Sequence, residues 1–147
     1  MFKHILIPTD GSPVANKAVK AGVGLAKSLG AKVTGYYAVE VIQPHIYGEG
    51  YVIDRGTIKE FERRAKEMGE KHVASIAKAA AAAGVEFASI VNKADNPYEG
   101  IINAAVKQKC DAIFMASHGR RGLAGLIMGS VTLKVLTHTK LPVLVYR

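Results

Sequence analysis

A chain of 147 residues, 49% hydrophobic and 22% charged, is long enough to form one domain with its own buried core. Cys110 is the only cysteine, which excludes an internal disulfide and fits a reducing compartment, and no apolar run reaches the length of a membrane span. The net charge of +8 is concentrated in residues 101–147, where seven Lys or Arg face a single acid, Asp111. Such an excess reads either as a solvated face or as a patch that favours phosphates.

Residues 3–8, KHILIP, form a short apolar run ending in the turn signal PTDGSP, which predicts a first strand. Asp10 follows too soon for a signal peptide, so a cytoplasmic protein is expected. Ser12 and Pro13 suit an N-cap and first helical turn. Ala15, Ala18, Val19, Val23, Ala26 and Leu29 then recur at helical spacing, and Gly30 supplies the stop. Residues 31–41 predict a second strand. A helix over 57–83 follows, its inner stripe expected to be Ile58, Phe61, Ala65, Met68, His72, Val73 and Ile76, with Gly84 as terminator.

Residues 85–92 predict a third strand, and Asn96-Pro97 opens a helix to about Lys109. The nearly all-apolar DAIFMAS, 111–117, suits a central strand buried on both faces of a parallel sheet. Ser130 is expected to cap a helix running to about His138, and LPVLVYR closes the chain as a fifth strand. Segment 42–56, rich in glycine and tyrosine, is long for a connection. It is expected to be a mobile loop within the single domain, which covers a ligand, contacts a partner subunit or stays disordered.

Strands alternating with helices imply an α/β sandwich around a parallel sheet. In such sheets ligands bind beyond the carboxyl ends of the strands, where strand order reverses. The loops after strands one and four are PTDG and ASHGRRG. Glycine there lets backbone N–H groups converge on an anion, and a following helix N-terminus adds its dipole. The spacing is neither a Walker A loop nor the GxGxxG dinucleotide fingerprint. A structural strand-to-helix turn therefore stands beside anion binding. Asp10 reads as an acceptor for a ribose or adenine group, as a residue helping to hold a metal, or as a turn residue bonding its own backbone.

His118 has no matching nucleophile and acid, and no catalytic residue is assigned. The remaining histidines lack metal-ligand spacing, so no metal site is expected. No nucleic-acid reading motif accompanies the basic charge, and a nucleic-acid or membrane partner is not expected.

ILIPTDGS, DAIFMASHGRRGLAGLIMGSV and LPVLVYR together resemble the universal stress proteins of the small single-domain type, over essentially the whole chain. The nucleotide-binding branch carries Gly, two residues, Gly, nine residues, then Gly-Ser or Gly-Thr. Ala116, Gly119, Gly129 and Ser130 occupy those positions here. The resemblance implies a three-layer, Rossmann-like sandwich of the adenine nucleotide α-hydrolase type, with a five-stranded parallel sheet in order 3-2-1-4-5. It also implies ATP, with or without Mg2+, across strands one and four.

By the same resemblance Asp10 would contact the ribose and Val39 the adenine, with Pro8 and Thr9 shaping that wall. Met115, Ala116, Gly119, Arg120, Gly129, Ser130 and Val131 would surround the ribose and phosphates. A homodimer through strand 142–147 and an unknown protein client are implied partners. The expected role is a regulatory or protective stress-response binder with at most slow ATP hydrolysis. The alternative is a member that binds no nucleotide and works through protein contacts. Ala116, in place of the first glycine, adds a methyl group and resists positive φ, which would weaken binding if either is felt at the ligand.

Overall fold

The first strand is β1 (His4–Pro8), whose residues 4–7 are all buried. In the computed structural model the described residues are 1–41, 54–119 and 128–147. Helix α1 (Pro13–Leu29) starts where the Ser12 hydroxyl accepts the Ala15 N–H, and ends at Gly30, in the left-handed region at φ 62°. The remaining elements are β2 (Lys32–Glu40), α2 (Arg55–Ala83), β3 (Phe87–Ala94), α3 (Pro97–Lys107), β4 (Ala112–Ala116), α4 (Ser130–His138) and β5 (Val143–Tyr146). The strands form one parallel sheet in the order β3-β2-β1-β4-β5.

Strand alternation divides the core between the two faces of the sheet. On one face Ile5, Ile7, Val33, Phe114 and Ala116 meet Ala18 and Val23 of α1 and Ile76 and Ala80 of α2. On the other, Leu6, Tyr36, Ile113 and Met115 meet Ile101, Ala104 and Ala105 of α3 and Val135 of α4. Burial on both sides is why β4 reads as an unbroken apolar run. This is the expected three-layer sandwich.

Several local readings are corrected. Helix α2 begins at Arg55, because Asp54 caps it by accepting the Gly56 and Thr57 N–H groups. Its buried residues are Gly69, Val73, Ile76 and Ala80, whereas Phe61 and Met68 are 57% and 49% exposed. Neither of those two belongs to the inner stripe. Ser130 is the first helical residue of α4 rather than its cap, a place taken by Gly129. Of the segment 42–56 expected as a loop, residues 42–53 lie outside the described residues and 55–56 belong to α2.

Candidate functional site

The site is built where β1 and β4, neighbours at the centre of the sheet, release their chains on the same side. After Pro8, which pairs with Tyr36, the Thr9 N–H donates to the Tyr36 carbonyl at 2.9 Å and carries the ladder one residue further. Thr9 is buried and its hydroxyl accepts the Gly11 N–H at 3.1 Å. The Asp10 carboxylate accepts the Ser12 N–H through Oδ1 at 2.9 Å. Gly11 takes φ 78°, a turn that an L side chain resists. Oδ1 therefore serves the turn, as one reading of Asp10 expected, while Oδ2 faces the loop after β4.

The opposite lip begins with Ala116, the last residue of β4. Its φ is not positive, because Lys109 is the only non-glycine with positive φ among the described residues. The residue is 8% exposed and belongs to the core beneath α1 and α2. Its carbonyl accepts the Thr132 hydroxyl at 2.9 Å, which ties the strand to α4. Met115 is buried on the other face of the sheet, towards α3 and α4. The Ser117 N–H donates to the Tyr146 carbonyl and the Gly129 N–H to the Ser117 carbonyl, both at 2.8 Å. The loop is thereby pinched shut at its base, and a Cβ on Gly129 would come within 3.0 Å of His118 Cα.

Gly119 makes the decisive approach. A Cβ there would collide with Asp10 Oδ2, so the two loops come together across the switch point, and a side chain at position 119 would push the carboxylate aside. Ser130, exposed, and Val131, packed against the α3 layer, open α4, whose first N–H groups lie at the end of the pinched loop. Arg120 lies outside the described residues.

Val39 is placed differently from the others. Its side chain is 2% exposed and packs with Tyr37 and Val73 under α2. What β2 offers the crevice at this point is backbone: β1 pairs with β2 only as far as Tyr36, while β2 continues to Glu40. Tyr36 itself is a rigid support. Its hydroxyl donates to Asn92 Oδ1 at 2.9 Å, and burial pushes its pKa up to about 12. His118 is half-buried and shares a 3.0 Å hydrogen bond with Ser117 Oγ through Nδ1.

Two residues at the site escaped sequence reasoning. Thr132 anchors Ala116, and His72 of α2 reaches Gly11, where a Cβ would run into its imidazole. Spacing marked His72 only as a packing residue, because the signal that sets it apart is a contact across the fold. Two grooves of about 410 and 390 Å3 lie elsewhere, between α2 and β3. Only Val39 of the expected site residues lines one of them.

Comparison with known proteins places this geometry. The model of the universal stress protein family matches residues 1–147. A universal stress protein of Methanocaldococcus jannaschii is 32% identical over 147 residues, covering 100% of this chain and 83% of its own. The solved structure of a second protein from that organism superposes with a TM-score of 0.84 at 26% identity, covering 99% of this chain and 95% of its own. A universal stress protein from Archaeoglobus fulgidus, solved in complex with dAMP, shares the fold at a TM-score of 0.60 and 20% identity, covering 100% and 98% of the two chains.

Proposed function

The chain belongs to the universal stress protein family, and we propose that it is a cytoplasmic, homodimeric stress-response protein that binds ATP where β1 and β4 diverge. The observation that carries this reading is the apposition of Asp10 and Gly119 across the switch point of the sheet. Asp10 Oδ2 suits a ribose hydroxyl, and the open backbone of β2 near Val39 suits the edge of an adenine. The first turn of α4, entered through Gly129 and Ser130, suits phosphate oxygens. A Mg2+ ion would arrive on the phosphates. The dAMP complex of the Archaeoglobus fulgidus relative supports an adenine nucleotide as the ligand class.

Ala116 does not oppose the reading. Its backbone is ordinary strand and its methyl faces the core, so the added carbon sits away from the lip that Gly119 forms. The protein acts as a regulatory or protective binder. At most slow hydrolysis of ATP goes with that role. Mass spectrometry of small molecules released from freshly purified protein tests the reading. An adenine nucleotide at a substantial fraction of one per chain is expected. Protein that carries none, and takes up none when incubated with ATP, would instead indicate a member that works through protein contacts.

A further inference from the structure

We propose that His72, on the helix covering the sheet, is a positioning residue for the nucleotide site, bracing the turn that carries Asp10. This rests on the nucleotide reading above. Among the described residues the turn is held from two sides: Thr9 is bonded to Tyr36 of β2, and the Gly11 and Ser12 N–H groups are bonded to Thr9 Oγ1 and Asp10 Oδ1. The third side is the α2 layer, and there His72 closes on Gly11. A Cβ at Gly11 would fall on the imidazole, nearest Cε1 with both ring nitrogens close behind, so the ring fills the space that a side chain at position 11 would need.

The imidazole is held at that height. It stacks on Tyr37, centroid to centroid 5.6 Å with the planes 22° apart, and Tyr37 is 8% exposed in the sheet below. One turn back, Gly69 lets α2 settle so closely that a Cβ there would lie 2.6 Å from Tyr37 Cδ1. Helix, tyrosine and imidazole therefore form one packed column ending on Gly11. Asp10, the next residue, meets Gly119 on the far lip. Removing the imidazole frees the turn to rise, and the carboxylate loses the place from which it reaches a ribose.

His72→Ala and His72→Gln separate this role from general packing. Both residues favour helix, and the flat glutamine amide can rest on Tyr37 and fill the same space. His72→Ala is expected to weaken ATP binding about tenfold. It is also expected to speed amide exchange at Gly11 and Ser12 while exchange in residues 5–7 stays as in the wild type. His72→Gln is expected to restore most of both. Unchanged affinity in His72→Ala, with or without faster exchange at Gly11, would overturn the inference. So would exchange that rises throughout the sheet, which would mark His72 as ordinary core. Wild-type protein that takes no ATP would overturn the nucleotide reading instead, and the exchange at Gly11 would still report whether the brace exists.

Discussion

At position 116 a methyl group stands where the nucleotide-binding signature has glycine, and its effect depends on which side of the strand it occupies. It lies in the core with Ile7, Ala18 and Phe114, on a residue whose φ is ordinary for a strand. Ala116→Gly should therefore cost about 1 kcal/mol of stability, through lost burial and a looser strand, and leave ATP affinity within about twofold. Parallel thermal melts and ATP titrations of the two proteins check both halves. A substantially tighter Ala116→Gly protein would show that the methyl reaches the ligand.

His4 makes a second prediction at this scale. It is buried, with Nε2 at 2.7 Å from Thr34 Oγ1. Burial and then the nearby Lys32 push its pKa below the ordinary 6.5, against a weaker upward pull from Asp111, the Gln108 carbonyl and Glu86. The unfolded chain therefore takes up a proton near pH 6.5 that the folded chain refuses. The stability held at higher pH is lost as the pH falls from about 6.5 towards the folded value. Melting temperatures should drop across that window, and the slope should flatten in His4→Gln, where no group titrates. An unchanged slope would mean that other groups carry the dependence.

Among the elements, α2 shows what periodicity reads well and what it misreads. Its hydrophobic spacing correctly places Val73 and Ile76 against the sheet, but the same spacing carried backwards assigns Phe61 and Met68 to the inside. Along that stretch Ala65 and Gly69 are the residues that lie against Tyr37 and Val91, which leaves Phe61 and Met68 outside the inner stripe. Spacing alone does not say which of the apolar positions the neighbouring strands meet. Ser130 was misplaced for a related reason: Gly129 is drawn into the cap by its bond to the Ser117 carbonyl, a contact that local sequence does not display.

Strand β5 yields the element-scale prediction. It borders β4 on one side and ends the sheet on the other. The Pro142 and Tyr146 carbonyls accept from β4 and the following loop, so by alternation Val143 and Val145 turn their backbone groups outward. All four strand residues are half-buried, and Leu133 of α4 is 53% exposed. If two copies pair along this edge, as proposed, Val145→Pro removes an outward donor without touching the β4 ladder. Sedimentation should show a dimer for the wild type and a folded monomer for the variant. A variant that stays dimeric would place the interface elsewhere.

For the molecule as a whole, strand-helix alternation was enough to show an α/β sandwich, because β1 and β4 are compact apolar runs and the helices between strands open on recognisable caps such as Ser12-Pro13. The order of the strands came from the resemblance, since parallel pairing is a long-range choice that no local pattern records. The site was legible in the same divided way. Asp10, Gly119 and Gly129 stood out by residue type, and they do meet or pinch at the switch point. The placement of Val39 was less legible, since its side chain belongs to the core with Tyr37 and Val73. Spacing placed His72 on the inner stripe of its helix but not against Gly11, because that partner lies 61 positions away in the chain.

The central claim is that Asp10 and Gly119 form the two lips of an ATP site, and calorimetric titration of wild-type and Gly119→Ala protein with ATP tests it most directly. The account predicts saturable binding at one site per chain in the wild type. It predicts affinity at least about tenfold weaker in Gly119→Ala, whose new Cβ displaces the Asp10 carboxylate. No heat and no thermal shift in the wild type at about millimolar ATP, or equal affinity in the two proteins, would contradict it.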